Sequence, residues 1–112
     1  MVTQTFLFLD ENSTATSNTL VVSNGRNLTL SVASTTSPVG AVSIAIYGKV
    51  DVNSDEVYVL GCINKDTLVT VSGTTGIAET GIYTLDVTGI SQIYIQNNGT
   101  AGDVKVFGKL IG

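Results

Sequence analysis

The sequence predicts an all-β protein, an antiparallel β-sandwich of jelly-roll type with about eight or nine strands. Three observations predict it: short apolar runs alternate with period 2, residues rich in Gly, Asn and Ser separate the runs, and no window shows a helical period. A chain of 112 residues fits one domain, so residues 1–112 are expected to form a single sandwich. An immunoglobulin-like topology is the alternative, disfavoured by the absence of the Cys…Trp…Cys pattern.

Strands are predicted where β-branched residues alternate with polar ones, and turns where Gly, Asn, Ser or Pro cluster. The segment 10–17 is small and polar and predicts a loop, so residues 1–17 form an N-terminal strand and loop that is available for subunit contacts. The pair Asn24-Gly25 predicts a two-residue hairpin. The predicted strands are 3–9, 18–23, 26–34, 41–50, 56–63, 67–72, 81–87, 91–97 and 103–111. Further turn signals lie at Ser37-Pro38, Asn53-Ser54-Asp55, Ser72-Gly73, Gly89 and Asn98-Gly99.

Alternation within the strands predicts which side chains face the core. If Ile44, Ile46 and Val50 point inward, Tyr47 and Lys49 point outward, and other strands place Tyr58 (between Val57 and Val59), Tyr94 and Phe107 outward in the same way. In the N-terminal strand, Phe6 and Phe8 share one face, and Leu7 and Leu9 share the other. The alternative is that the parity flips at Gly48 and Gly108 and that the rings belong to the core. The candidate contact surface therefore comprises six aromatic residues: Phe6, Phe8, Tyr47, Tyr58, Tyr94 and Phe107.

The chain carries few charges. Its net charge is −4, and 12% of its residues are charged, against about 25% in an average soluble domain. The five basic residues are scattered, so no nucleic-acid partner is expected. Low charge is typical of a subunit that packs against copies of itself, and a hydroxyl-rich extracellular surface is the alternative.

The residue types of common catalytic sites are missing. The absence of histidine excludes His-based triads and zinc sites with His ligands. The single Cys62 lies in an apolar run and is interpreted as a small buried hydrophobe. The neighbouring carboxylates Asp10/Glu11 and Asp55/Glu56 point apart on an extended chain. We therefore predict no enzyme activity and no catalytic, cofactor-binding or metal-binding residues.

One segment has the spacing of a calcium loop. Asp51, Asn53 and Asp55 could wrap the ion, but Glu56 stands where the loop needs glycine. Asx turns within a hairpin loop are the preferred interpretation, and a calcium site of another type is the alternative.

The N-terminus carries no export signal. The segment Met1–Thr5 lacks the basic and apolar regions of a signal peptide, and no apolar stretch reaches the length of a membrane span. We expect synthesis in the cytoplasm and no membrane partner.

The C-terminal half carries a resemblance to a known class of protein. It reads Gly81-Ile82-Tyr83-Thr84-Leu85-Asp86-Val87-Thr88-Gly89-Ile90, then Ile93-Tyr94-Ile95, then Gly102-Asp103-Val104-Lys105-Val106-Phe107-Gly108-Lys109. This run resembles small β-rich virion structural proteins of tailed bacteriophages, such as capsid decoration, head-fibre and tail-associated subunits.

The resemblance implies a non-enzymatic bacteriophage protein located in the virion. It implies a homo-oligomer, often a trimer, that docks on other virion proteins of the capsid or tail. Two alternatives remain open at this point. One is a β-sandwich module that binds glycan on a host surface, and the other is a subunit of a filament or appendage.

Overall fold

The computed structural model describes residues 3–10, 16–34, 41–53, 56–100 and 104–112. Within these residues the chain forms ten strands in two antiparallel sheets, and no helix. One sheet has six strands: β1 (Thr3–Leu9), β10 (Val104–Ile111), β3 (Asn27–Ser34), β8 (Gly81–Asp86), β6 (Cys62–Asn64) and β7 (Thr70–Val71). The other has four: β2 (Leu20–Val21), β9 (Gln92–Asn97), β4 (Ile44–Lys49) and β5 (Tyr58–Leu60).

The strand order is that of a jelly roll. The sheets are ordered β1-β10-β3-β8-β6-β7 and β2-β9-β4-β5. The antiparallel pairs β1·β10, β2·β9, β3·β8 and β4·β5 nest one inside the next, as if a single long hairpin had been rolled up across two sheets. The predicted all-β sandwich is confirmed, and the immunoglobulin-like alternative is wrong.

The strands β6 and β7 form a hairpin inserted into this plan, in a region where the sequence predicts strands over 56–63 and 67–72. Gly61 divides the first of these runs, so β5 lies in the four-stranded sheet and β6 in the six-stranded sheet. A Cβ at Gly61 would lie 2.8 Å from the carbonyl oxygen of Val71, so the chain crosses between sheets where only glycine fits. This division raises the number of strands above the predicted eight or nine.

The Asn24-Gly25 pair forms a turn but not the predicted hairpin. The Gly25 amide donates to the carbonyl of Val22 at 2.8 Å, which closes the turn. The strands that flank it, β2 and β3, lie in opposite sheets. A local turn signal reverses the chain without deciding which strands become hydrogen-bonded, because pairing depends on the rest of the sandwich.

The core lies between the two sheets and follows the predicted alternation in the central strands. Leu28, Leu30 and Val32 of β3 are buried, and their neighbours on the strand are more exposed. Ile44 and Ile46 are buried as predicted, but Val50 is 66% exposed because β4 ends at Lys49. The inward prediction for Val50 is therefore wrong.

Parts of the predicted plan lie outside the described residues: Met1, Val2 and residues 11–15 of the N-terminal segment, Ser37-Pro38, and Gly102-Asp103. In the part of the chain that the structure describes, no helix has the length and hydrophobicity needed to cross a membrane.

Candidate contact surface

The six aromatic residues of the predicted surface do not form one patch. Tyr47 and Tyr94 lie together on the outer face of the four-stranded sheet, whereas Phe107 lies on the outer face of the other sheet. Phe6 and Phe8 point toward the interior, and Tyr58 lies on an edge strand. The sandwich thus separates side chains that strand parity alone treats as equivalent.

Phe8 is a core residue and not a contact residue. It is 5% exposed, and its ring packs edge-on against the ring of Phe6 with centroids 4.8 Å apart and planes at 69°. Gly108 makes room for it, because a Cβ at Gly108 would overlap the Phe8 ring. Phe6 is half-buried and remains partly open to solvent.

A register shift between Leu7 and Leu9 changes the faces of β1. Leu7 pairs with Phe107 on the outer side, but Leu9 pairs with the core residue Val106 and is 1% exposed. The prediction that Leu7 and Leu9 share a face is therefore wrong. A β-bulge inserts an extra residue and flips the alternation, which no period-2 pattern reveals.

An apolar row crosses the outer face of the six-stranded sheet. Leu7, Phe107 and Ile82 are 42%, 40% and 51% exposed, and they lie at one register level with Ser31 between the last two. We call these three residues the outer apolar row. The Lys105 ammonium lies 5.4 Å from the centroid of the Phe107 ring, a cation–π geometry. Such rows on a sheet face are typical of contact surfaces.

Both charged and uncharged polar groups lie near the outer apolar row, because Lys105 and Lys109 flank Phe107 on the same face of β10. The Asn27 side-chain oxygen accepts hydrogen bonds from the hydroxyls of Thr29, at 3.2 Å, and Thr84, at 3.0 Å. The hydroxyls are thereby oriented by the sheet itself. A partner that covered this region would meet these hydroxyls together with the ammonium groups of Lys105 and Lys109.

The tyrosine pair is the second feature. Tyr47 and Tyr94 are cross-strand neighbours whose rings stack, with centroids 5.0 Å apart and planes at 14°. Both side chains are half-buried. Gln92 and Gln96 lie on the same face of β9, so amide groups flank the rings.

Tyr58 stands apart from the tyrosine pair. In the ladder it is opposite Gly48, whereas Val59 is opposite Tyr47, so Tyr58 is on the other side of the sheet from that ring. Its hydroxyl donates to the Glu56 carboxylate at 2.7 Å, and this bond raises its pKa. The predicted parity of β5 is therefore wrong: Val59 shares the outer face with Tyr47 and is 42% exposed, whereas Tyr58 faces the other side and is 56% exposed because β5 is a sheet edge. Val57, also predicted to be inward, precedes β5 and is 36% exposed.

The N-terminal strand, predicted from the sequence to be available for subunit contacts, is β1, an edge strand of the six-stranded sheet. The strand order leaves four edge strands in the described residues: β1, β7, β2 and β5. The last three contain only two or three residues, whereas β1 has seven. Natural proteins protect long edges with charges, Pro, β-bulges or a cover, and β1 has a bulge only after Leu7. The residues Thr3–Leu9 contain neither a charge nor a proline.

A notch of about 440 Å³ lies between the β1 and β2 edges. Phe6, Leu20 and Leu110 line its apolar side, and Gln4 and Thr19 line its rim. The notch exposes part of the core at the side of the molecule where no described strand pairs with β1. Any strand added to β1 would pass along it.

Cys62 and Tyr83, whose thiol and hydroxyl groups could take part in chemistry, are both buried in the fold. Cys62 is 5% exposed, and burial raises the pKa of its thiol to about 11. The Tyr83 hydroxyl donates to the carbonyl of Glu79 at 2.8 Å, and burial raises its pKa. Among the described residues, no group of three or more His, Cys, Asp or Glu side chains is placed to hold a metal ion.

The predicted Asx turn is present in the calcium-like segment. The Asp51 carboxylate accepts a hydrogen bond from the Asn53 amide at 3.0 Å. Ser54 and Asp55, which complete the segment, lie outside the described residues. The carboxylate of Asp51 is thus engaged by its own loop.

The fold and its surfaces define a class, a jelly-roll sandwich in which the described residues include one long, uncharged edge strand. No protein-family model matches the chain, and no curated protein matches it. Among solved structures, it is similar to the crystal structure of the SPBc2 prophage-derived protein YomS, with a TM-score of 0.80 and 22% sequence identity. The match covers 99% of this chain and 94% of that chain. At this identity the likeness shows a shared fold.

Proposed function

We propose that this protein is a non-enzymatic structural subunit of a bacteriophage virion, and that it acts by associating with copies of itself and with other virion proteins. The observation that carries the proposal is the long, uncharged β1 edge on a jelly-roll sandwich. The structural likeness to a prophage-derived protein over nearly the whole of both chains supports a phage origin.

The composition of the surface supports assembly over catalysis. Burying a charge at an interface costs free energy unless a partner group compensates it. The β1 edge contains no charge, whereas the outer apolar row is flanked by Lys105 and Lys109 on β10. Contacts made through the β1 edge desolvate no charged side chain of that strand, which suits a subunit that is packed in a particle.

The β1 edge and the outer apolar row suit two different kinds of contact. The β1 edge offers main-chain donors and acceptors, which suit pairing between subunits. The outer apolar row is a flat sheet face, which suits docking onto a capsid or tail surface. Both features lie on the six-stranded sheet, so one subunit can make both contacts at once.

The test is the solution mass of the purified protein, measured by light scattering over a concentration series, with negative-stain images of the same fractions. We expect discrete oligomers of the 11.6 kDa chain. A monomer at every concentration would contradict self-association. Docking is tested by adding the protein to particles purified without it. The variant F107T/I82T should bind less than wild type, and V50T/V52T, which changes exposed valines on a distant loop, should bind equally well.

The second candidate function is glycan binding, favoured by the stacked pair Tyr47 and Tyr94 with Gln92 and Gln96 beside it. Aromatic rings with nearby amides can hold a sugar ring by stacking and hydrogen bonds. A glycan array with wild-type protein and the Tyr94→Ser variant tests it. Binding that the variant loses would favour this function, and no binding by wild type would exclude it for the glycans on the array.

A third candidate is a filament subunit, favoured by the same uncharged β1 edge. Open fibres under negative stain would identify it, whereas closed oligomers would contradict it.

A further inference from the structure

We infer that two copies of this protein pair through β1 in antiparallel register about a two-fold axis at Thr5, joining their six-stranded sheets into one. This inference rests on the proposed self-association and specifies its contact. A second copy is the occupant to which the features of the β1 edge point.

The length of β1 indicates which strand of a second copy it pairs with. The other edge strands in the described part of the chain have two or three residues, too few to pair along the seven residues of β1. The matching edge on a second copy is therefore β1 itself. Pairing of identical strands about a two-fold axis is antiparallel and isologous, so it consumes both edges and closes.

The distribution of charge allows the β1 strands of two copies to pair. Two copies, each of net charge −4, repel at long range. The contact itself brings no like charges together, because no residue of Thr3–Leu9 is charged. The side chains of Thr3, Gln4 and Thr5 are exposed, so none of the described residues of their own subunit covers them before the second strand is added.

The position of the bulge in β1 indicates the register of the pairing between the two β1 strands. The strand β1 runs regularly against β10 from Thr3 to Leu7, and the register shift follows Leu7. The centre of this regular stretch is Thr5. A two-fold axis there places Thr5 opposite Thr5 of the partner subunit, Thr3 opposite its Leu7 and Gln4 opposite its Phe6.

The register also covers the part of the core that the monomer leaves open. Phe6 is half-buried at the rim of the notch. Gln4 of the partner subunit, opposite Phe6, would lie over the exposed part of this ring. On the outer face, Thr3 of the partner subunit would lie beside Leu7, which extends the covered end of the outer apolar row.

Charge variants at Thr5 give the test. Thr5 lies opposite Lys109 in its own subunit, so T5E adds a favourable cross-strand pair there while placing two carboxylates together at the axis. We expect T5E alone and T5K alone to lose the two-fold contact, so that the mass of each falls to half that of wild type or less. An equimolar mixture should restore the wild-type mass, because opposite charges then meet at the axis. Circular dichroism and thermal unfolding confirm that each variant is folded.

Cysteine variants test the register without changing charge. In the proposed register the thiol introduced by T5C lies opposite the same thiol of the partner subunit, with about 5 Å between the two Cβ atoms. Oxidation of T5C should therefore give covalent dimers. In the matched control T3C, the two introduced thiols are offset by four residues along the paired strands. The distance of about 13 Å between them is beyond the reach of a disulfide. The native Cys62 is buried and should not contribute.

The outcomes separate the two proposals. Wild-type mass retained by both T5E and T5K would overturn the β1 contact and leave self-association standing. Crosslinking of T3C in place of T5C would overturn the register, and a wild-type trimer that T5E leaves intact would overturn the two-fold axis. A wild-type monomer at all concentrations would overturn self-association and the β1 contact together.

Discussion

Substituting Gly108 with alanine tests how β1 is held on the sheet. Gly108 of β10 is opposite Phe6 in the ladder, and its missing side chain leaves the space that the Phe8 ring occupies. A Cβ there would overlap the Phe8 ring, with the ring Cδ2 at 3.1 Å and the Leu28 Cδ1 at 3.3 Å. Since Phe8 is buried, its ring cannot swing into solvent without losing its packing.

The expected magnitude follows from overpacking. Extra methyl groups in a packed core cost about 1–3 kcal/mol, so we expect G108A to lose about 2 kcal/mol of unfolding free energy. For a domain of this size that is a fall in Tm of about 8 °C. F8L alone should cost about 1–2 kcal/mol from lost packing. The double variant G108A/F8L should cost about 1–2 kcal/mol less than the sum, because the smaller side chain relieves the overlap.

The assay is a double-mutant cycle by urea unfolding, with G89A as the control. Gly89 has φ +86° and no atom within 4 Å of a built Cβ, so alanine there should cost about 1 kcal/mol through backbone conformation alone. G89A should add to F8L without coupling. If G108A and F8L were also additive, the Phe8 ring would not depend on the space at Gly108, and this account of β1 anchoring would fail.

Three further predictions concern other sites. Leu68 has φ 60° and is 77% exposed, so L68G should be about 1 kcal/mol more stable than L68A, the reverse of the usual order; an equal or lower melting temperature for L68G would contradict the left-handed backbone. Cys62, with its thiol pKa raised to about 11 by burial, should resist a thiol reagent at pH 8 in the folded protein and react in denaturant; fast native reaction would show that the β6 region opens. The pKa of Asp86 is lowered because the Thr88 amide donates to its carboxylate at 2.9 Å, so its contribution to stability is present above about pH 4 and is lost as the pH falls through the lowered value. D86N should therefore make acid unfolding less steep below about pH 4 than in wild type, and an unchanged acid transition would count against the hydrogen bond.

The sequence by itself determined the class of fold and the faces of the central strands. Alternation in β3 and in Val104–Leu110 correctly separates core side chains from outer ones, because the two faces of a strand are set by a local period of two residues. The outward directions of Tyr47, Tyr94 and Phe107 were predictable for the same reason. Each of these strands has hydrogen-bonded neighbours on both sides, so local parity is enough.

The tertiary structure alone decided which strands are edges and where the parity breaks. Period 2 predicts which residues share a face but not which face is the inner one, so the outward direction of Val59 on the edge strand β5 was missed. The bulge that buries Leu9, and the space at Gly108 that buries Phe8, depend on β10, which is nearly the whole chain away in sequence. The physical reason is that strand pairing in a jelly roll joins segments distant in sequence, and only that pairing leaves β1 with one free side.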